Sequence, residues 1–326
     1  MQAVVCKQWG LPDTLTIEEL PDLVALPGQV LIDVHAAGVN FPDVLIIQNK
    51  YQFTPVLPFT PGSELAGVVH AIGAGVEKYK VGDRVIAFAP VGAFAQQIAV
   101  SQAAVLPMPP GLDFATAAAI TLAYGTSYHA LVQRAQLVAG ETLLVLGAAG
   151  GVGLAAIEIA KALGARVIAA ASSDAKLEVC KVHGADVLIN YSTQDLRSEL
   201  KTITAGKGVD VVFDPVGGAL AEPALRSIAW CGRYLVIGFA SGEIPRLPFN
   251  LALLKGASIV GVFWGEFTQR EAAANLAGMQ QLMHWLAQGK IRPHISQRYA
   301  LAETAQALNA MAARTVTGKV IIEPRR

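Results

Sequence analysis

The chain has 326 residues, 53% apolar and 15% charged, with 31 glycines and 17 prolines, a length that exceeds one comfortable core and accommodates two. Lys plus Arg and Asp plus Glu balance at 25 each, so there is no basic field to attract nucleic acid or an anionic membrane surface. Its longest apolar runs carry glycine and break within about a dozen residues, short of the roughly 20 that span a bilayer. MQAVVCKQWG lacks the charged start and long apolar core of a signal peptide, so the cytoplasm is the expected compartment. Cys6, Cys180 and Cys231 are widely spaced and odd in number, and form neither a disulfide framework nor a CxxC metal pair.

The first 110 or so residues read as short strands between turns. QVLIDVHAAGV, GVVHAIGAGV, DRVIAFAP and FAQQIAVS are rich in Val and Ile with alternation, punctuated by Pro27-Gly28, Pro61-Gly62 and Gly82-Asp83. Regular short strands of this kind predict a partly open β-barrel. From Ala115 the pattern turns helical. Beyond it LLVLG, RVIAAA, DVLIN, DVVFD, RYLVIG and SIVGVFW alternate with amphipathic stretches such as AKLEVCKVHG and LRSELKTIT. Near-continuous apolar strands mean burial on both faces, hence a six-stranded, doubly wound parallel sheet covered by helices. From about Thr268 a long helix leads to HISQRYAL and GKVIIEP, which read as barrel material again. The expected division is a substrate domain at 1–122 and 265–326 around a dinucleotide-binding domain at 123–264.

One turn in this pattern carries chemistry. LVLGAAGGVGLAAIEIAKALGARVIAAASSD reads as strand, glycine-rich turn, helix and strand. Such a turn aims the helix's free N–H groups and positive dipole end at a pyrophosphate, and glycine lets the phosphate approach without a Cβ in the way. Gly150 and Gly153 take the second and third glycine positions of G-x-G-x-x-G, while Ala148 stands at the first. Gly150, Gly151, Val152 and Gly153 are therefore candidate pyrophosphate contacts.

The end of the second strand selects the cofactor. After Ala171, its expected last extended residue, come Ser172, Ser173 and, one helical turn on, Lys176. Two hydroxyls and an ammonium suit a 2′-phosphate, which a carboxylate repels. Counting about 20 residues from the last glycine lands on Asp174, which keeps an NAD reading open. Placing Asp174 in the first turn of the next helix, where an acid favours the dipole, makes NADPH the preferred cofactor.

AAGVNFPDVLIIQNKYQ, LPFTPGSELAGVV, VGDRV and GAAGGVGLAAIEIAKALGA together resemble the medium-chain dehydrogenase/reductase superfamily, and within it the zinc-free quinone oxidoreductase branch. The resemblance runs from MQAVV to TGKVII and implies a GroES-like barrel beside the Rossmann sheet. Where zinc alcohol dehydrogenases place Cys and His ligands this chain has Asn40 and Ser63, and its six histidines are scattered. A site needing three or four Cys, His or carboxylate ligands is therefore not expected, and no catalytic zinc is assigned. Without a metal to polarise a carbonyl, the easier chemistry is hydride donation to an acceptor already electron-poor.

The resemblance implies roles for further residues. Asn40, Asp43 and Tyr51 line or support the substrate side. Asn40 hydrogen-bonds a substrate oxygen or the cofactor, or is a turn residue after its strand; Tyr51 stabilises a developing oxyanion, or is a half-buried aromatic under a loop; Asp43 is a structural partner. Thr126 follows the pattern of a threonine beneath the nicotinamide. Tyr191 joins Ser172, Ser173 and Lys176 around the adenosine phosphate, and Arg314 lies near a position where relatives place a basic residue on the cofactor. Gly238, Phe239 and Ala240 are expected to end the fifth strand, and Phe263, Trp264 and Gly265 the sixth, where a doubly wound sheet meets its ligand. Phe263 and Trp264 read equally as core or dimer-interface aromatics.

The sum is an NADPH-dependent, zinc-independent reductase acting on a quinone or activated alkene. An enoyl-CoA or enone reductase and a non-catalytic NADPH-binding protein are the alternatives. A homodimer is expected through the apolar sixth strand at the sheet edge.

Overall fold

The computed structural model describes residues 1–326. Its strands, in chain order, are β1 Gln2–Val5, β2 Thr16–Glu19, β3 Gln29–Val39, β4 Glu64–Ile72, β5 Arg84–Phe88, β6 Gln97–Ser101 and β7 Val105–Pro107. There follow β8 Thr142–Leu146, β9 Arg166–Ala171, β10 Val187–Asn190, β11 Val209–Asp214, β12 Ile228–Val236, β13 Ser258–Gly261, β14 Ile295–Ala300 and β15 Lys319–Glu323. Two compact units result, one of Met1–Leu122 with Pro293–Arg326, the other of Ala123–Arg292. No helix is long and apolar enough to cross a membrane.

In the first unit the sheet runs β14-β15-β3-β4-β5-β7, with β6 also paired to β3. Central strand β3 is antiparallel to β4, β6 and β15, and the C-terminal strand thereby lies beside the N-terminal region. Alternate residues of β3 (Val30, Ile32, Val34) join Val69, Val85, Phe94, Val320 and Ile322 in a closed apolar core. This is the strand-rich unit that the alternation of the first hundred residues predicts.

The second unit is a six-stranded sheet of order β10-β9-β8-β11-β12-β13, parallel at every pairing. Leu143 to Leu146 of β8 and Val167 to Ala170 of β9 are wholly buried, because helices cover both faces. Chain order reverses between β8 and β11, so the loops after these two strands flank the switch point where such sheets take ligands.

Several boundaries differ from the sequence reading. Residues 265–292, expected with the barrel, fall in the second unit. The helix Ala272–Ala287 is the cause: Trp285 packs its ring 5.8 Å from that of Tyr128, and the backbone N–H of Arg292 donates to Glu158 at 2.9 Å. The long helix expected from Thr268 is two, Trp264–Arg270 and Ala272–Ala287, broken at Glu271. β12 stops at Val236 and β13 at Gly261, so Gly238, Phe239 and Ala240 follow the fifth strand rather than ending it. Phe263 likewise only precedes a helix that Trp264 and Gly265 begin. The apolar run SIVGVFW had concealed that change from strand to helix, since short apolar runs do not distinguish the two.

Candidate active site

The glycine turn leaves β8 and enters the helix Gly151–Ala162. Gly147 sits at φ +56, a left-handed conformation that glycine takes without strain, and an added Cβ there would lie 2.7 Å from Val216 in the loop after β11. A Cβ on Gly153 would lie 2.5 Å from the carbonyl oxygen of Ala148, so this third glycine is required for the helix to pack against its own turn. Gly150 differs. Its Cβ would meet only the Gly147 carbonyl, at 3.4 Å, leaving open space before a helix start that no side chain caps. Gly150, Gly151 and Val152 thus form a cradle at the positive end of a twelve-residue helix, at the switch point, with room for an anion. Ser127 donates to the carbonyl of Val152 at 2.8 Å and ties the helix bearing Thr126 to this turn.

The end of β9 carries the residues that the sequence assigns to an adenosine phosphate. Ala171 is the last strand residue, and Ser173 caps the helix Asp174–Val182 by accepting from the Lys176 backbone N–H at 3.4 Å. The Lys176 ammonium donates to the Ser172 hydroxyl at 3.3 Å. Ser192 donates to the Ser172 carbonyl at 2.9 Å, and the Tyr191 N–H to that of Ala171 at 3.1 Å, so the β9 and β10 ends form one surface. Asp174 is the first helical residue, and its carboxylate accepts from the Asn190 amide at 2.8 Å. The residues present fit a 2′-phosphorylated adenosine: a hydroxyl and an ammonium converge while the one nearby acid is already hydrogen-bonded.

Beyond β12, residues 237–241 run along the loop after β11, with Ile237 and Ala240 donating to the carbonyls of Asp214 and Pro215 at 3.0 Å. Buried Asp214 shapes that loop by accepting from the Val216 and Gly217 N–H groups, each at 2.8 Å. Gly238, Phe239 and Ala240 therefore stand at the switch-point end of the sheet. Trp264 is buried and donates to Asn275 at 3.1 Å, which makes it a core residue of this unit, whereas Phe263 is half exposed. Arg314 belongs to the first unit, at φ +56 in the loop before β15.

The first unit holds a cluster of buried charge. Asn40 follows β3 and caps the helix Phe41–Ile46, its backbone N–H donating to Asp43 at 2.8 Å. Its side chain turns inward. Nδ2 donates to Glu64 Oε1 at 2.8 Å and to the Gly38 carbonyl at 3.4 Å, while Oδ1 accepts from the Lys319 ammonium at 2.5 Å. Lys319 also donates to Glu64 Oε1 at 2.5 Å, and the other Glu64 oxygen accepts from the Leu122 N–H at 2.8 Å. With Glu64 fully buried and Lys319 nearly so, each neutralises the other; removing one member of such a pair costs about 3–5 kcal/mol.

This arrangement corrects the reading of Asn40 as a donor to substrate, because both amide hydrogens are already committed within the cluster. Asp43 is wholly buried, and that burial pushes its carboxyl up to about 7, against the downward pull of the Asn40 N–H and the Lys319 charge. Tyr51 packs partly buried against the same core, and burial, then the Asp43 carboxylate, raise its phenol above the ordinary value. Lys319 had no signal in the sequence, where GKVIIEP reads only as barrel material. No three His, Cys, Asp or Glu side chains lie together in a way that could hold a metal.

Comparison with known proteins fits both units. Residues 26–110 match the family described as alcohol dehydrogenase GroES-like domain, and residues 151–280 match that described as zinc-binding dehydrogenase. The chain is 39% identical over 322 residues to quinone oxidoreductase-like protein 2 of Rattus norvegicus, covering 98% of this chain and 91% of that protein. It is 34% identical over 332 residues to the quinone oxidoreductase of Homo sapiens, covering 99% and 97%. The crystal structure of Escherichia coli quinone oxidoreductase complexed with NADPH superimposes with a TM-score of 0.92 at 28% identity, over 99% of this chain and 100% of that one. With a GroES-like sheet, a doubly wound sheet with a glycine cradle, and relatives matched along nearly its whole length, the chain belongs to the medium-chain dehydrogenase/reductase superfamily, in its zinc-free quinone oxidoreductase branch.

Proposed function

We propose that the protein is a zinc-independent reductase that takes hydride from NADPH and delivers it to a quinone or a similarly electron-poor acceptor. The observation that carries this reading is at the β9 end, where Lys176 and Ser172 converge and Asp174 is held by Asn190. A 2′-phosphate gains two donors there, while the acid that would serve an unphosphorylated ribose is engaged elsewhere. Gly150, Gly151 and Val152 would hold the pyrophosphate, with Ser173 and Tyr191 completing the adenosine side and Thr126 beneath the nicotinamide. The cofactor supplies hydride; the chain binds and orients it and keeps water from the reacting carbon.

Among the groups of the first unit, Tyr51 has a phenol suited to a developing quinol oxygen, and the Asn40–Glu64–Lys319 cluster fixes the start of the segment that carries it. Three cysteines without a disulfide among them fit a reducing compartment, the cytoplasm. Strand β13 is the last in its sheet, with an unpaired edge, and we assign to it the pairing surface of a homodimer.

The test is consumption of NADPH by chelator-treated protein against quinones, enones and enoyl-CoA esters, with NADH in parallel. The expected result is turnover with quinones and a preference for NADPH. Turnover confined to enones or enoyl esters would move the substrate class, and tight NADPH binding without turnover on any acceptor would refute the catalytic reading.

A further inference from the structure

Asn190, the last residue of β10, has no part in the sequence motifs, yet it is 7% exposed and every polar group of its side chain is used. Its Nδ2 donates to Asp174 Oδ1 at 2.8 Å, and its Oδ1 accepts from the Ser192 N–H at 3.1 Å. The second bond fixes the first. A backbone N–H can only donate, so the amide oxygen must face Ser192 and the amide hydrogens must face Asp174. The backbone at Asn190 is held as well, its N–H donating to Gln194 Oε1 at 2.8 Å.

A carboxylate that recognises an adenosine ribose must turn toward the ribose hydroxyls. The bond from Asn190 to Oδ1 fixes the direction in which the Asp174 carboxylate turns. We infer that Asn190 is a positioning residue for cofactor discrimination: by engaging Asp174 it holds the carboxylate turned to itself and withdraws it from the ribose diol. The inference rests on the NADPH reading above.

Calorimetric titration with adenosine 2′,5′-bisphosphate and adenosine 5′-phosphate reads this discrimination without turnover. The parent is expected to bind the bisphosphate at least about tenfold more tightly, and Asn190→Ala to lose about tenfold of that ratio. The double variant Asn190→Ala/Asp174→Ala is expected to recover the parent ratio, since the effect runs through Asp174. Asn190→Ser, which retains a hydroxyl acceptor, gives the same readout should the alanine variant fail to fold. A parent preference that survives in the single variants overturns the inference alone, as does a loss that Asp174→Ala fails to restore. A parent that favours the unphosphorylated nucleotide overturns the NADPH reading and the inference with it.

Discussion

Asp43 brings a titration into the neutral range from a place that water does not reach. It is 1% exposed, and it faces Lys319 and Glu64 within the cluster and Tyr51 beside it. In the unfolded chain its carboxyl titrates near its ordinary value of 3.8, and in the folded protein at about 7. Between those values the folded state binds the extra proton, so this group's contribution to stability is full below the lower value and is lost as pH rises through the upper one. Asp43→Asn keeps an acceptor for the Asn40 N–H and removes the titration. Urea unfolding of the variant should therefore lose less stability than the parent between pH 4 and about 7. Parallel pH profiles for the two proteins would show Asp43 ionised throughout.

The strand–turn–helix after β8 separates two uses of glycine that the sequence motif merges. Gly153 is a packing requirement, because its missing Cβ is replaced by the backbone carbonyl of Ala148, which cannot move without shifting the strand. Gly150 is not a packing requirement, because an added Cβ would meet only the Gly147 carbonyl, at 3.4 Å. Gly153→Ala is expected to lower unfolding free energy by about 1–3 kcal/mol, the usual cost of overpacking a closed site. Gly150→Ala should leave stability within about 0.5 kcal/mol of the parent. Its NADPH dissociation constant should rise about tenfold, as the methyl group enters the phosphate's space. Thermal melting and fluorescence titration of the two variants check the contrast, and equal melting losses would remove the distinction. The start of the helix Asp174–Val182 was readable from the acid that leads its first turn, and the structure adds Ser173 as its cap.

At the scale of the molecule, the edge of β13 is where association is expected. An added Cβ on Gly261 meets nothing within 4 Å, so Gly261→Asp fits the isolated chain while placing charge on the edge. Sedimentation should give a dimer for the parent and a monomer for this variant; a variant that stays dimeric would place the contact elsewhere. Periodicity sufficed to announce two kinds of sheet, because burial on both faces or on one writes itself into every second or third residue. The glycine turn after β8 and the helix start at Asp174 were legible too, since their signals lie within a few positions of one another. The fate of residues 265–292 was not, because a helix carries its own period but not the identity of the unit it covers. Nor was the Lys319–Glu64 pair, whose members are separated by 255 residues, nor the clasp of Asn190 on Asp174, made from the end of β10 to the start of the helix after β9. Sequence alone determined the two kinds of sheet and the strand–glycine turn–helix of the second, through short-range sterics and hydrophobic period. Tertiary structure decided which charges are neutralised and which donors remain for a ligand, because burial and long-range pairing exist only once the strands have met.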